Sequence, residues 1–292
     1  MGQPIGKLAL PQGCNVAIVG LGLMGGSLAR ALRNSRPDVH VLGVARRSET
    51  LQQALASSLI ESGSTSMEEI IPEAQVVVLA APVRIIANQI GQVAMHLRRG
   101  AVLTDLGSTK CSIVAAMEKL HRSSQCVGGH PMCGKERSGL AEADALLYKG
   151  ATWAICATRD SLPEAIALVA ALATDVGAKP LFMQARHHDA IVARTSHLPY
   201  TISACLARTV ARAVSDSEIR ELSAGGYRDT TRLAASDIGM MLDILLTNRE
   251  QVLASLADFR DELDNLTALL HSADETSLRR YLECARQERR LS

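Results

Sequence analysis

Aromatic residues are scarce in this chain: one tryptophan, four tyrosines and two phenylalanines make up 2% of it. That is too few to build the stacking platforms that hold single-stranded nucleic acid. Charge of one sign is missing as well. With 31 basic and 30 acidic residues the net charge is +1, so no strong field draws in nucleic acid or an anionic membrane surface. No stretch approaches the ~20 apolar residues that span a bilayer. The opening MGQPIGKLALPQG lacks the apolar core and small-residue cleavage site of a secretory leader. The seven cysteines are odd in number and contain no CxxC pair, which speaks against a disulfide framework and suits a reducing compartment. The expectation is a cytoplasmic protein with no nucleic-acid or membrane partner, acting on a small molecule or pairing with another copy of itself.

What is present is a regular alternation. Short apolar runs begin at Asn15, Val39 (VHVLGVA), Ala74 (AQVVVLAAP), Gly100 (GAVLTDLGS) and Ser124 (SQCVGGHPM), most of them separated by helical patterns. Two more, ATWAICAT from Ala151 and KPLFM from Lys179, flank a helix opened by Pro163 and closed near Gly177. Strands alternating with helices predict a doubly wound parallel sheet of Rossmann type. After about His187 the strand-like runs stop and helical patterns take over, so the division is set at residues 1–186 and 187–292, the second unit all-α. From Asp237 to His271 a stripe of Leu245, Val252, Leu256, Phe259, Leu263, Leu266 and Leu270 runs at helical steps, interrupted by Arg249. It predicts a homodimer through the C-terminal helices; the alternative is an intrachain pair with the segment from Glu275 to Gln287.

The first run ends in VGLGLMGGSLA. Gly20, Gly22 and Gly25 fit GxGxxG between a strand and a helix. In that context the first glycine makes the tight turn, the second lets backbone approach a pyrophosphate, and the third lets helix and strand pack closely. Leu23 and Met24 sit inside the turn, and Ala81 and Pro82, which end the third run, complete the expected cofactor-facing set. At the tip of the second strand, where an NAD enzyme places a carboxylate, the chain reads Ala45, Arg46, Arg47, Ser48. Two guanidiniums and a hydroxyl suit a 2′-phosphate, so the expected cofactor is NADP. The alternatives are a solvated arginine pair, or NAD held with the help of Glu49.

GHPMCG closes the fifth run at the sheet edge where a doubly wound fold binds ligands. His130, restrained by Pro131 and flanked by glycine, suits proton removal near neutral pH, although a lone histidine can equally be structural. DLGSTK ends the preceding strand and brings Ser108 and Lys110 to the same edge. Ser108 orients the imidazole or a substrate hydroxyl in one reading, and caps the next helix in the other. Cys126, His130 and Cys133 supply sulfur and nitrogen, but a zinc site wants further ligands, so no metal is expected; a Cys133 nucleophile ranks lower still. Downstream, ARHHDAIVARTSHLPY and GGYRDTTRLA stand out. Arg228 and Arg232 are four apart and would share a helix face able to grip a dianion, or would simply be exposed.

Taken together and in order, VGLGLMGGSLA, DLGSTK, GHPMCG, SHLPY and GGYRDTTRLA resemble the prephenate and arogenate dehydrogenase family of tyrosine biosynthesis, over nearly the whole chain. The resemblance implies a Rossmann domain, a helical dimer-building domain, and an active site between them. It implies oxidative decarboxylation of a cyclohexadienol, with hydride passing to the nicotinamide and the ring carboxylate leaving as carbon dioxide. By that resemblance His130 accepts the 4-hydroxyl proton, Ser108 positions the pair, Arg232 binds a substrate carboxylate, Arg228 is a second cation, and His197 and Tyr200 lie near the substrate. Tyr200 is a departure, since many relatives read SHLPH. Two other functions compete: a β-hydroxyacid dehydrogenase or imine reductase, and a non-enzymatic NADP sensor. The first usually relies on a lysine in its helical domain, and the stretch from Gln184 to Leu270 has none.

Overall fold

The computed structural model describes residues 9–120, 125–135 and 137–290. The expected start of the fifth run at Ser124 lies outside them. Eight strands form one sheet in the order β3-β2-β1-β4-β5-β6-β7-β8. In chain order they are β1 (Asn15–Val19), β2 (His40–Val44), β3 (Ser62–Ser64), β4 (Val76–Leu79), β5 (Val102–Asp105), β6 (Gln125–Pro131), β7 (Thr152–Ala157) and β8 (Lys179–Phe182). Between them run α1 (Leu23–Ser35), α2 (Ser48–Ala56), α3 (Met67–Ile70), α4 (Val83–His96), α5 (Cys111–Met117) and α6 (Pro163–Asp175).

The strands are near-continuous apolar runs because both faces of the sheet are covered. Along β1, Val16 and Ile18 enter a core with Leu28 and Leu32 of α1, while Ala17 and Val19 enter one with Ile86 and Ile90 of α4. The Rossmann-type class holds, with one difference from an all-parallel sheet: β7 runs antiparallel to β6. Among its described residues the link from Met132 to Ala151 contains a short 3₁₀ turn, Leu140–Glu142, and no crossover helix, and the chain re-enters from the edge it left. α6 then provides a crossover, and β8 is parallel to β7. Pro163 starts α6, and Gly177 follows its end at φ 81°, as the sequence predicted.

From Ala185 onward every regular element is helical: α7 (Ala185–Val192), a π turn (Ala193–His197), α8 (Leu198–Ala213), α9 (Asp216–Leu222), α10 (Gly225–Thr231), a 3₁₀ turn (Arg232–Ala235), α11 (Ile238–Thr247), α12 (Arg249–Ser272) and α13 (Glu275–Arg290). The apolar stripe from Asp237 is therefore carried by two helices, broken at Asn248, and not by one. α13 packs on α12. Even so Leu253, Phe259, Leu263, Leu270 and Leu282 remain exposed, together with Ile238, Leu242 and Leu246 of α11. No helix among the described residues is long and apolar enough to cross a membrane.

Candidate active site

The strand order reverses between β2-β1 and β4-β5, and the carboxyl ends of β1 and β4 flank the crevice where such folds bind dinucleotides. Gly20 leaves β1 at φ 107°, and a Cβ there would meet the Ala80 carbonyl oxygen at 2.5 Å. A Cβ on Gly25 would stand 1.9 Å from the Gly20 oxygen, so helix and turn touch through backbone alone. Gly22 is the opposite case. It caps α1 without a side-chain hydrogen bond, and nothing lies within 4 Å of where its Cβ would be. The first amides of α1, Leu23 and Met24 among them, are donors that a helix leaves unpaired at its start, with the helix dipole behind them, and the open space at Gly22 beside them fits a pyrophosphate. Tyr148 braces the turn by donating to the Met24 carbonyl at 2.7 Å. Ala81 and Pro82 follow β4 at the same edge, with Pro82 capping α4. Beyond β2, Ala45 is buried, Arg46 and Arg47 are exposed, and Ser48 opens α2. Glu49 lies in the first turn of α2.

Three strand steps away, about 14 Å at the usual spacing, β6 delivers His130 to that same edge. The neighbourhood is a buried polar cluster drawn from distant segments. Asp105 ends β5 and Lys110 precedes α5; both are 0% exposed and form an ion pair. Lys110 Nζ also donates to the Gly129 carbonyl at 2.6 Å, while Asp105 accepts from the backbone amides of Gly107 at 2.8 Å and Gly129 at 3.0 Å. The pair therefore clamps the residue before His130 on both its amide and its carbonyl. A side chain on Gly129 would strike the Asp105 carbonyl at 2.6 Å, so only glycine permits the clamp.

On its other side His130 meets α7. Its Nδ1 lies 2.8 Å from His188 Nε2, and His188 Nδ1 lies 2.8 Å from Asp189 Oδ1. The Asp189 carboxylate accepts from the backbone amides of Lys110 at 2.7 Å and Cys111 at 2.8 Å. Burial alone would raise its pKa, but His188 and those two amides outweigh it and hold the carboxyl below its usual range. Burial, then His188, Lys110 and His197, hold the His130 pKa well below 6.5, so the imidazole is a neutral base.

His197 is 1% exposed and within 3.2 Å of Asn248 Nδ2, whose amide also donates to the Asp189 carbonyl at 2.8 Å. The structure thus ties His197 into the support behind the site. Ser108 is half-buried at the same edge and has no hydrogen-bond partner among the described residues; it does not cap α5, which Lys110 precedes. Arg228 on α10 and Arg232 at the 3₁₀ turn are exposed, on elements packed against α8, which carries the half-buried Tyr200. No hydrogen bond among the described residues joins Arg228 or Tyr200 to the histidine cluster. Burial pushes the thiols of Cys126 up to about 12 and Cys133 up to about 11, which leaves neither as a ready nucleophile. His188, Asp189, Asp105 and Asn248 are the participants that sequence reasoning missed. The HHD run in ARHHDAIVARTSHLPY was the one local signal for the first two.

A family model for the nucleotide-binding domain of prephenate dehydrogenase matches residues 28–182, and one for the dimerization domain of prephenate dehydrogenase matches residues 184–284. The chain belongs to the prephenate dehydrogenase family. Among its relatives is the cyclohexadienyl dehydrogenase of Zymomonas mobilis, 31% identical over 89% of both chains. The crystal structure of the A. aeolicus prephenate dehydrogenase with hydroxyphenyl propionate and NAD+ superimposes with a TM-score of 0.88 at 31% identity, covering 94% of this chain and 97% of that one. The Synechocystis arogenate dehydrogenase gives 0.84 at 29% identity, over 94% and 98%. The glycine turn lies just ahead of the first matched segment, so its fit to a dinucleotide rests on its own geometry.

Proposed function

We propose that this chain oxidatively decarboxylates a cyclohexadienol, prephenate or arogenate, in tyrosine biosynthesis, using NADP as the hydride acceptor. The observation that carries the reading is the presentation of a neutral His130, tied back through Nδ1, on the sheet edge that also carries the glycine turn. When bound, the nicotinamide supplies the acceptor for the hydride from the carbon bearing the 4-hydroxyl. His130 takes the hydroxyl proton, a task suited to a base that is unprotonated at neutral pH. Ser108, whose hydroxyl has no partner among the described residues, orients that hydroxyl. Arg232 holds a substrate carboxylate, Arg228 adds a second cation and Tyr200 shapes the substrate side of the cleft, while His197, enclosed beside Asn248, supports the site from behind. Too tight a grip on the leaving carboxylate would oppose its loss as neutral carbon dioxide, so Arg232 orients it more than it stabilises it.

The choice of NADP is supported by Arg46 and Arg47, exposed and without ion-pair partners among the described residues, and by the lack of a carboxylate at position 45. The working unit is a homodimer built through the exposed apolar faces of α11, α12 and α13, with the cofactor and helical domains divided at residues 186 and 187.

The test is reduced-nicotinamide absorbance with prephenate and arogenate, each with NADP and with NAD. Turnover with one of the two substrates and preference for NADP is the expected result. No turnover in any of the four mixtures, from protein that binds NADP, overturns the reading. Unchanged turnover in His130→Ala would remove His130 as the base.

A further inference from the structure

A chain of hydrogen bonds behind His130 is not needed to write the reaction, yet it is built from fully enclosed groups. His188 is 2% exposed and Asp189 0%. The two imidazoles meet edge to face, with ring centres 5.0 Å apart and planes at 73°, a geometry that aims His130 Nδ1 at His188 Nε2. Asp189 is held at the far end by the amides of Lys110 and Cys111, and its own carbonyl is held by Asn248. The amides of residues 110–111 and the neighbouring His188 thus fix the carboxylate, and Asn248 fixes the backbone behind it.

The proton positions follow from donor and acceptor counting. An ionised carboxylate can only accept, so His188 Nδ1 carries the hydrogen that it donates to Asp189. A neutral His188 then has its lone pair on Nε2, where it can only accept, so His130 Nδ1 must carry the hydrogen between the rings. The lone pair of His130 is left on Nε2, the nitrogen turned away from His188.

We propose that Asp189 and His188 are positioning residues that set the tautomer of His130, leaving Nε2 as the atom that takes the 4-hydroxyl proton, with His188 sharing that proton after transfer. The proposal rests on His130 being the base. In the transfer the substrate O–H bond breaks and the His130 Nε2–H bond forms. The His130 Nδ1 proton then moves to His188 Nε2, leaving His130 neutral and a His188 imidazolium against the Asp189 carboxylate. No electrons change hands in either step. His130 is faced by Lys110, which is paired to Asp105, and by His197 and His188; His188 is faced by His130 and His197 and, at 2.8 Å, by the Asp189 carboxylate that would sit against its imidazolium.

The experiment has two arms. In wild-type enzyme labelled with 15N-histidine and loaded with NADP, the His130 signals are assigned by their loss in His130→Gln. The expected spectrum has a protonated Nδ1 and an unprotonated Nε2; the reverse tautomer overturns the proposal and needs no variant at position 188 to fold. In the second arm, His188→Ala is expected to lower kcat by about 10- to 100-fold, with KM and NADP affinity little changed and the acid limb of the kcat–pH profile displaced. His188→Gln, whose amide oxygen can accept from His130 Nδ1, should recover part of that loss. Wild-type kcat and pH profile in His188→Ala would overturn the proposal. If His130→Ala is inactive while His188→Ala is normal, the relay alone fails; if His130→Ala is active, the catalytic reading beneath it fails.

Discussion

The glycine turn after β1 and the histidine cluster after β6 share one edge of one sheet, but they are made of different material. The turn is contiguous backbone: it works because side chains are absent, with van der Waals contact at Gly20 and Gly25 and open space above Gly22. The cluster is all side chains and buried charge, assembled from β5, the start of α5, β6, α7 and Asn248, with the Asp105–Lys110 pair at its base. A ligand's phosphates can be met by a surface that already exists in the unbound turn. A base must be desolvated, aimed and given a defined protonation state, and this requires partners from several directions. The two ends should therefore fail differently when damaged.

The largest effect is expected at the base of the cluster. Lys110→Met removes one member of a fully buried pair and leaves Asp105 without its cation, which should cost about 3–5 kcal/mol of stability; denaturant unfolding measures it, and a loss below about 1 kcal/mol would mean the pair is not a clamp. Next comes pH. Burial, opposed by Asp189 and aided by His188, pushes the His197 pKa from 6.5 down to about 4. The unfolded chain binds a proton near pH 6.5, and the native state does not until about pH 4. Stability present above pH 6.5 should thus drain away as pH falls through that window, by up to about 3 kcal/mol. His130 adds to the fall in the same direction. A urea midpoint series should show the decline and its flattening in His197→Gln; identical curves for the two proteins would contradict it.

At the cofactor end the effects are smaller and leave the fold alone. Replacing Arg46 and Arg47 together with alanine should weaken NADP by about 10- to 100-fold, the scale of hydrogen bonds to a charged group, and NAD much less. Equal losses measured by titration would remove the 2′-phosphate reading. Gly22→Ala should leave the melting temperature nearly unchanged, because its Cβ meets no protein atom, yet cost about tenfold in affinity for either cofactor by intruding on the pyrophosphate. A melting temperature that falls with it would mean that Gly22 serves packing.

That contrast also explains what could be read from the chain. The turn was legible because its requirements are local: three glycines at fixed spacing between an apolar run and a helical one. Five of the six strands through His130 and the crossover at Pro163 were legible for the same reason, since apolar runs and helix starts are near-neighbour patterns; β3, three residues reading SGS, carries no apolar run and was missed. The reversal of β7 was not, because it depends on what the Met132–Ala151 link fails to contain. The break at Asn248 showed only as the interruption of the apolar stripe at Arg249; that the Asn248 amide is committed to Asp189 and His197 was not legible. Asp105 and Lys110 looked like ordinary polar residues at a strand end; their burial is decided by α7 docking some 80 positions later, as the Lys110–Asp189 contact records. His188 and Asp189 were visible as an odd HHD run, but a run carries no direction, and the partner that gives them meaning is 58 residues away.

The most direct test of the whole account follows one atom. Prephenate and arogenate, each carrying deuterium on the carbon that bears the 4-hydroxyl, are turned over with NADP, and deuterium in the reduced nicotinamide is measured against carbon dioxide released. The account predicts that, for the substrate the enzyme accepts, label appears in the reduced cofactor, one carbon dioxide is released per cofactor reduced, and the rate collapses in His130→Ala. Reduced cofactor without label, or without matching carbon dioxide, would contradict it.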